Sequence, residues 1–441
     1  MSKSNGKKKK KKVGKVFLWI LGVLIAVILL TVAVFSILNA VSVKANMELA
    51  SSFEKIDNPD AIVPEKADNG NWVFKTDRDL KILQLTDVHI GGGCLSSKKD
   101  AMAINAVASM VSAEKPDLVV ITGDIAFPVP FISGTINNLR AAKIFATLME
   151  QLGVPWVPVF GNHDTEVYSF YSREEVSEFY GGDTLKHCLF QKGSDDVDGC
   201  GNSVIEVQNQ DGIVTQALFL LDSHAYTDDD ALGILWKYDH IHDNQIEWYK
   251  NGVLSINERN ANTINTLYAN DEQVKENMEK EFGNVSSLLF FHIPLHEYQD
   301  AWNEYVANGY NDTDKVQLHY GTVGEIGSSI CIALEDDKLF ETMETLDGEK
   351  GIFCGHDHLN NFSLDYNGIR LTYGHSIDYL AYSGISEIGS QRGCTIIDAK
   401  TDGSFDCVGS NYYQDKYEML SENEKETVLM QDMDEWAKQE K

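Results

Sequence analysis

The sequence contains no Cys-x-x-Cys pair, and its seven cysteines are scattered along 441 residues. This absence argues against a zinc site built from thiolates. An odd number of cysteines cannot all pair within one chain, and a chain of this length can bury a core that needs no disulfides. If the protein has a disulfide, Cys188 and Cys200 are the pair that we expect.

Basic residues are scarce outside the N-terminal end. Residues 1–15 hold 8 of the 37 lysines and arginines and no acid, which leaves 29 basic against 67 acidic residues in the remainder. Binding to nucleic acids needs clustered Lys and Arg against the phosphates. The composition therefore excludes a nucleic-acid partner, and it suits a body that holds cations.

Charge is missing altogether from residues 16–38, a run of 23 that follows six consecutive lysines at 7–12. At 1.5 Å per residue this run can cross a hydrocarbon core, whereas the apolar part of a cleaved signal peptide is usually about 7–15 residues long. We predict a single-pass anchor in the cell membrane, with residues 1–15 in the cytoplasm and the body outside. A signal peptide cleaved near Ala45 is the alternative.

The rest of the chain divides into three parts. Residues 39–72 are polar, with turn signals at Asn58-Pro59 and Asn69-Gly70, and we predict a stalk that holds the body clear of the bilayer. Residues 73–412 form one large domain. Residues 413–441 form an acidic tail with a weakly amphipathic stretch at 427–438.

Within the domain, short apolar runs alternate with helical patterns. Such runs are typical of strands buried on both faces, and strands separated by helices predict βαβ units in a partly parallel α/β sheet. The first strands are predicted at 81–86, 118–122 and 154–159, with helices near 100–114 and 137–152 between them. Later strands are predicted at 203–207, 216–221, 287–291, 351–354 and 394–397, with a polar helical insertion at 243–282.

Five fragments with carboxylate, amide and imidazole groups follow these apolar runs. They are Asp87-Val88-His89, Gly123-Asp124, Gly161-Asn162-His163-Asp164, His292 and Gly355-His356-Asp357-His358. Hard and borderline divalent metals take such ligands, and open α/β sheets bind ligands at the carboxyl ends of their strands. Each fragment alone is common by chance. Five in order, each after an apolar run, predict one shared metal site.

The spacings fit two ions better than one. Two metals held about 3.5–4 Å apart need a bridging carboxylate, and Asp124 is a single carboxylate at a strand end. Asp87 and His89 lie two apart, so both can reach one ion from an extended segment. His356 and His358 have the same spacing, and they could serve one metal each.

The order of these fragments resembles the signature of the calcineurin-like metallophosphoesterase superfamily, which is Asp-x-His, Gly-Asp, Gly-Asn-His-Asp/Glu, His and Gly-His-x-His. The resemblance covers roughly residues 75–410. It implies a four-layered α/β/β/α sandwich behind the transmembrane helix, and two metal ions drawn from Mn, Zn and Fe. One ion would take Asp87, His89, Asp124 and His358, and the other would take Asp124, Asn162, His292 and His356.

The chain is most similar to the purple-acid-phosphatase-like branch of this superfamily, which includes a yeast cell-cycle phosphatase. The similarity lies in residues 160–164, 198–202, 221–223 and 291–298. True purple acid phosphatases have a ligand tyrosine three residues after the bridging aspartate, where this chain has Phe127. Phenylalanine has no donor atom, so we expect no purple colour, and the resemblance does not single out iron.

The resemblance also implies a mechanism. Two cations lower the pKa of a shared water, which gives a bridging hydroxide that attacks the phosphate at neutral pH. His163 matches the catalytic histidine of the family, which would protonate the leaving oxygen or stabilise the equatorial oxygens. In some relatives an aspartate at the position of Phe127 orients this histidine, so we predict Asp164 as its partner here.

The predicted function is that of a membrane-anchored, metal-dependent phosphatase or phosphodiesterase that hydrolyses phosphate esters. Weaker predictions place Asn202, His224 and His375 in the pocket wall as substrate contacts, although each is equally explained as a hydrogen-bonded loop residue. The alternatives are a phosphoprotein phosphatase and a non-catalytic, metal-stabilised ectodomain that binds a partner. The complete ligand set and His163 argue against the last.

Overall fold

The structure is a computed structural model that describes residues 4–230, 232–325, 329–382, 385, 392–412 and 416–417. The helices are α1 Ser4–Ala50, α2 Ser97–Glu114, α3 Pro130–Ser133, α4 Asn138–Leu152, α5 Arg173–Tyr180, α6 Asp243–Leu267, α7 Glu272–Phe282, α8 His296–Ala307 and α9 Leu339–Glu344. The strands are β1 Glu65–Lys66, β2 Trp72–Lys75, β3 Leu80–Leu85, β4 Leu118–Thr122, β5 Trp156–Val159, β6 Ser203–Gln208, β7 Val214–Leu220, β8 Ser286–Phe290, β9 Val316–Tyr320, β10 Lys350–Cys354, β11 Ser363–Tyr366, β12 Ile369–Tyr373, β13 Gly393–Ala399 and β14 Phe405–Asn411. The amphipathic stretch predicted at 427–438 lies outside the described residues.

The strands form two sheets. One has nine strands in the order β1-β2-β6-β7-β8-β10-β12-β11-β9, and the other has five in the order β14-β13-β3-β4-β5. Strands β3, β4 and β5 are parallel, as are β7, β8, β10 and β12, while antiparallel pairs lie towards the edges. The mixed α/β class expected from the sequence is confirmed as a two-sheet fold, and the four-layered order stays a prediction.

The central strands are buried on both faces, which explains their nearly continuous apolar sequences. In β4, Leu118 and Val120 belong to a cluster to which both sheets contribute. Val119 and Ile121 point the other way and join a cluster with α2 and α4. Side chains of β7 and β8 alternate in the same manner, and their second set packs with α6 and α8. The helix α6 is therefore part of the core and not only a surface insertion.

The apolar helix α1 continues into the body. The segment Lys15–Ala50 is long and apolar enough to cross a membrane. Past residue 38, the side chains of Asn39, Ser42 and Asn46 are buried against the rest of the protein. Residues 39–50 were predicted to begin a free stalk. The structure differs here because these polar side chains recur at helical spacing and find hydrogen-bond partners on the body.

The remainder of the predicted stalk also belongs to the body. Strand β1 pairs with β2, and β2 extends the nine-stranded sheet by pairing with β6. The predicted boundary at residue 73 therefore falls inside β2. All seven cysteines are free thiols, Cys188 and Cys200 included.

The two sheets meet at the carboxyl ends of their central strands. Thr86 and Ser376 form a parallel bridge between them, and the N–H of Ile377 donates to the carbonyl oxygen of Thr86 at 3.2 Å. Gly355 lies against this seam, where a Cβ atom would stand 1.9 Å from Thr86 Oγ1. The missing side chain at Gly355 lets the loops that follow the strands approach one another.

Candidate dinuclear metal centre

Every predicted metal ligand follows a strand of one of the two sheets. They are Asp87 and His89 after β3, Asp124 after β4, Asn162 after β5, His292 after β8, and His356 and His358 after β10. Four of these residues have positive φ angles, namely Asp87 at 50°, His89 at 51°, Asp124 at 55° and His356 at 78°. Non-glycine residues seldom adopt this conformation, and such strain concentrates at functional sites. The chain turns sharply after β3, β4 and β10, and these turns help to bring the ligands into one space.

Asp124 lies in the middle of the group. Its Oδ2 is 3.3 Å from Nε2 of His89 and 3.1 Å from Nε2 of His292. Its Oδ1 accepts the backbone N–H of His163 at 2.8 Å. One carboxylate oxygen between imidazoles that come from different sheets occupies the position that a bridging ligand needs.

The other ligands lie on either side of Asp124. On one side, Asp87 Oδ1 is 3.6 Å from His358 Nε2. On the other, Asn162 Oδ1 and His356 Nδ1 lie 3.1 and 3.3 Å from His292 Nε2. The two groups match the division that the resemblance implies, and the ligand set of each ion stays a prediction.

The chemistry of the donors fits a pair of metal ions. Three buried atoms of the predicted ligands have no hydrogen-bond partner among the described residues, namely Asp87 Oδ1, His89 Nδ1 and His356 Nε2. An unsatisfied buried polar group costs about 1–3 kcal/mol, so these atoms favour a ligand. Carboxylate, amide and imidazole groups are those that divalent and trivalent metals take in proteins.

The electrostatics of the centre also favour cations. Burial disfavours the charged imidazole of His89, yet Asp378 and Asp124 raise its pKa well above the ordinary value. Burial acts the same way on His292, and Asp124 raises its pKa to about 9. Burial alone would raise the pKa of Asp124, but His292 and His163 hold it well below the ordinary value. The buried carboxylates keep protons on these imidazoles. Two metal ions would neutralise the same negative charge.

His163 has a partner that sequence reasoning missed. Its Nδ1 lies 2.7 Å from Oε1 of Glu166, whose side chain is 4% exposed, whereas the imidazole is 26% exposed. The hydroxyl of Tyr226 donates to the same carboxylate oxygen at 3.4 Å. A buried carboxylate thus holds one ring nitrogen of His163 and leaves the other for a substrate. The available signal was an acid three residues after the histidine.

Asp164, the predicted partner of His163, has a different role. Its carboxylate accepts the backbone N–H groups of Asp124, Ala126 and Gly161 at 3.0, 2.8 and 2.8 Å. Burial and the charge of Asp124 raise the pKa of Asp164 to about 6. Because these three donors occupy its oxygens, Asp164 ties the loop after β4 to the loop after β5 and leaves His163 to Glu166.

A second missed residue, Asp378, lies against ligands from both sheets. Its Oδ1 is 3.3 Å from Nδ1 of His89, and its Oδ2 is 3.3 Å from Nδ1 of His358. The carboxylate is fully buried, and it accepts the backbone N–H groups of residues 380–382 at 2.7 Å each. Carboxylates in this position fix the orientation and the tautomer of ligating histidines. Asp378 belongs to the loop after β12, where no spacing marks it in the sequence.

Aromatic rings flank the centre. The ring of Phe127 lies 4.9 Å from that of His163 and 5.1 Å from that of His89. Tyr238 meets His356 edge to face at 4.4 Å. The place of the purple-type tyrosine is thus filled by a hydrocarbon ring that packs beside His163.

The three residues of the weaker substrate predictions lie in different surroundings. Asn202 is buried, and its Oδ1 accepts from Gln245 at 3.0 Å and from a backbone N–H. His375 is also buried, and burial lowers its pKa to about 4. Both side chains are buried, as most of the candidate metal ligands are, and their contact with a substrate stays a prediction. His224 lines a cleft that also contains Glu166 and Tyr226, which keeps it as a predicted contact.

Comparison with known proteins identifies the family of the domain. The model of the family described as calcineurin-like phosphoesterase matches residues 80–360. The chain therefore belongs to the calcineurin-like phosphoesterase family.

Individual relatives confirm the predicted branch. Two proteins of Arabidopsis thaliana, named probable inactive purple acid phosphatase 14 and 29, are 27% and 26% identical, over 74% and 73% of this chain and 77% of each of those proteins. Phosphatase DCR2 of Saccharomyces cerevisiae is 26% identical over 67% of this chain and 47% of its own length. A dimetal phosphatase from Danio rerio aligns with a TM-score of 0.43 at 12% identity, over 76% of this chain and 100% of that chain.

Proposed function

We propose that this protein is a membrane-anchored phosphoesterase that hydrolyses phosphate esters with two bound metal ions. The observation that carries the proposal is the position of Asp124, whose one oxygen lies within 3.3 Å of imidazoles from both sheets. When bound, two metal ions of the Mn, Zn or Fe type activate a water for attack on phosphorus and neutralise the phosphate oxygens. We further infer a four-layered α/β/β/α order, which the clusters on both faces of the central strands support.

In this proposal the seven predicted ligands divide into two sets that share Asp124. Asp87, His89 and His358 belong to the first set. Asn162, His292 and His356 belong to the second. The carboxylate of Asp378 lies 3.3 Å from the second ring nitrogens of His89 and His358, and we infer that it orients both rings so that each presents Nε2 to the first set.

His163 is the proposed general acid. With Nδ1 paired to Glu166, its Nε2 is free to donate a proton to the leaving oxygen of the ester. The carboxylate of Glu166 stabilises the charged imidazole before the transfer and fixes its orientation. Phosphoryl transfer depends mainly on positioning and on neutralisation of charge, so no protein nucleophile is required.

The membrane part of the proposal rests on α1. Its apolar segment has the length and composition to cross a bilayer, and six lysines precede it at residues 7–12. Basic residues favour the cytoplasmic side, which places the metal centre outside the cytoplasm. A phosphoprotein phosphatase, the alternative related to the yeast protein, would be easier to reconcile with the opposite orientation.

A second candidate is a domain that binds metal without catalysis. It is favoured by the names of the Arabidopsis relatives, which call those proteins probable inactive phosphatases. Against it stand the complete set of donors and the buried carboxylate behind a partly exposed His163. A binding domain has no use for a proton donor held beside its metals.

The test is an assay of the full-length chain in detergent micelles, stripped of metal and reloaded with Mn, Zn or Fe. We expect metal-dependent hydrolysis of p-nitrophenyl phosphate or of bis-p-nitrophenyl phosphate, and the ratio of the two rates distinguishes monoester from diester preference. Asp124→Asn is the control that should abolish hydrolysis. Two bound ions per chain without hydrolysis of either soluble ester or of any lipid phosphate ester would overturn the enzyme proposal in favour of the binding domain.

A further inference from the structure

The point where α1 leaves the body is fixed by hydrogen bonds. Asn39 donates from Nδ2 to the carbonyl oxygen of Gly134 at 2.9 Å and accepts the N–H of Cys94 at 2.7 Å. One turn further on, Ser42 donates to the carbonyl oxygen of Gly93 at 2.9 Å. The loops 93–95 and 130–136 therefore surround the helix where its exposed apolar part begins.

There is little spare length between these loops and a bilayer. The uncharged residues 16–38 number 23 and extend about 34 Å as a helix. That length is close to the hydrocarbon thickness of a membrane, roughly 30 Å. If residues 16–38 cross the bilayer, the loops around Asn39 lie at its surface.

These loops carry exposed apolar side chains. We name the group the apolar collar and define it as Leu95, Phe131, Ile132, Ile136, Val167 and Phe170, all exposed. Phe131 is 93% exposed. Backbone hydrogen bonds link the segments that carry its members. The N–H of Leu95 donates to the carbonyl oxygen of Ser133 at 3.2 Å, and the N–H of Phe170 donates to that of Ile136 at 2.8 Å. Single exposed apolar residues need no explanation, but a linked set beside an apolar helix indicates an interaction surface.

The charges near the apolar collar are unevenly distributed. Segments 88–99 and 125–149, which hold four of its six members, contain four basic residues and no acid, whereas the segment with Val167 and Phe170 includes the buried Glu166 and is followed by the exposed Glu174 and Glu175. Lys98, Lys99 and Lys143 are exposed. Apolar side chains with lysines beside them suit the headgroup region of a membrane with anionic lipids. An acidic protein partner would meet the same lysines, but the position of α1 favours the membrane.

The apolar collar also borders the metal centre. Phe127, whose ring lies 4.9 Å from that of His163, accepts a hydrogen bond at its carbonyl oxygen from Ser133 in α3. Val167 directly follows Glu166, the partner of His163. Three contacts thus connect Asn39 at the helix exit with His163 at the open side of the centre.

We propose that the apolar collar sits in the headgroup layer of the bilayer that α1 crosses, and that the ester hydrolysed is the phosphate of a membrane lipid. This inference rests on the proposed phosphoesterase function and adds the class of its substrate. Because α1 already anchors the protein, the body does not have to diffuse to the membrane, and docking of the apolar collar becomes an intramolecular step. His163 then lies beside the layer where lipid phosphates are found.

Docking can be measured without any activity. The full-length chain is placed in nanodiscs of phosphatidylcholine and phosphatidylglycerol, with a nitroxide-labelled lipid as quencher and the wild type as the fluorescence blank. We expect the emission added by Phe131→Trp to be mostly quenched. The matched control is Leu254→Trp, on the exposed side of α6 and outside the apolar collar, which should keep its emission. Equal emission from the two variants with and without quencher would overturn the docking.

Hydrolysis then tests the substrate class. Mn-loaded protein in the same nanodiscs is assayed with dioleoyl phosphatidic acid and dioleoyl phosphatidylethanolamine, beside p-nitrophenyl phosphate and its bis-ester in solution. We expect the double variant Phe131→Ser/Ile132→Ser to lose about tenfold in lipid turnover and to stay within about twofold on the soluble esters. Leu254→Ser should match the wild type on both.

The outcomes separate the two proposals. Hydrolysis of soluble esters with no hydrolysis of either lipid would overturn the lipid assignment and leave the phosphoesterase in place. An equal loss on lipid and soluble esters in the double variant would also overturn it, because the apolar collar would then act on the centre and not on membrane contact. No hydrolysis of any ester would overturn the phosphoesterase proposal itself, while the fluorescence result would still decide whether the apolar collar is docked.

Discussion

The two sheets contribute different chemistry to the candidate metal centre. The five-stranded sheet supplies oxygen donors and one imidazole, from Asp87, His89, Asp124 and Asn162. The nine-stranded sheet supplies imidazoles alone, from His292, His356 and His358. The negative charge that would hold cations lies on one side, and the other side completes the coordination. The centre therefore depends on the seam at Thr86 and Ser376, where the sheets are joined.

One residue qualifies this division. Asp378 belongs to the nine-stranded side, but one of its oxygens faces His89 of the other sheet. Its second oxygen faces His358 of its own side. The carboxylate thus spans the seam without being a predicted ligand. Substitutions on each side can measure how much each sheet contributes to metal binding and turnover.

The largest effect is expected on the oxygen side, at Asp124. Asp124→Asn removes the charge that lies between His89 and His292, so we expect turnover to fall by about 10⁴-fold or more and metal content to drop below two ions per chain. Turnover and metal analysis of the purified variant measure both effects. Asp406→Asn, an exposed acid that pairs with Lys400, should change neither. Wild-type turnover in Asp124→Asn would show that the centre does not depend on a bridge.

The next effect tests a residue that acts beside the metals. His163→Ala should keep two metal ions and lose about 10²-fold to 10³-fold in kcat on an alkyl phosphate, because the leaving oxygen then lacks a proton donor. The loss should be smaller on p-nitrophenyl phosphate, whose leaving group needs little protonation. His319→Ala, in a histidine that pairs with Asp365 away from the centre, is the matched control. An equal loss on both substrates would exclude His163 as the general acid.

A smaller effect is expected at the carboxylate that spans the seam. Asp378→Asn should weaken metal binding about 10-fold to 100-fold, since His89 and His358 lose the group that orients them. Turnover should recover at high metal concentration. Titration of metal-free protein gives the affinities, and Asp365→Asn provides a comparable carboxylate–histidine pair outside the centre. Unchanged affinity for both ions would mean that Asp378 only holds the backbone of its own loop.

Glu166 should act only through His163. Glu166→Gln is expected to lower kcat on the alkyl phosphate about tenfold, because the imidazolium loses its buried counter-charge. The double variant with His163→Ala should be no slower than His163→Ala alone, since the two residues form one unit. Glu174→Gln, in the exposed first turn of α5, controls for loss of charge. Additive losses in the double variant would mean that Glu166 has a separate role.

The candidate ligands, which stay predictions, could be picked out from the sequence because their spacing is fixed. Each ligand fragment sits directly after a buried strand, and a strand end allows few spacings that still direct donors into one space. The partners of these ligands are less constrained. Asp378 is brought in by a loop that no spacing marks, whereas Glu166 could have been found as an acid three residues after His163. Asn202 and His375 are buried, because a polar residue beside a strand end can as well face the core, and their role as substrate contacts stays a prediction.

The docking of α1 was missed although a signal was present. Asn39, Ser42 and Asn46 recur at spacings of three and four directly after the apolar run, which places them on one face of a helix. A polar stripe of this kind indicates that the helix continues and packs against another surface. The turn signals further along, at Asn58-Pro59 and Asn69-Gly70, drew the interpretation towards a stalk.

The smallest effect is expected on stability, at Glu297, an acid outside the centre. Asp124 is an acid among imidazoles, whereas Glu297 at the start of α8 is half-buried among acids. Burial, followed by the charges of Asp337, Asp336 and Asp300, raises the pKa of Glu297 to about 8. The folded state therefore binds this proton more tightly than the unfolded state does, and stability falls as the pH rises from about 4.5 towards 8.

Glu297→Gln should remove this loss of stability at high pH. We expect the free energy of unfolding to rise by about 1–2 kcal/mol at pH 9, with the gain shrinking towards pH 5, where the glutamic acid is already neutral in the folded state. Denaturant unfolding of the full-length, metal-loaded chain in detergent at several pH values measures the difference from wild type. Glu276→Gln, an exposed acid of α7, should change the free energy of unfolding little at any pH. A gain that is the same at pH 5 and pH 9 would contradict the proposed origin, because a packing effect of the amide does not titrate.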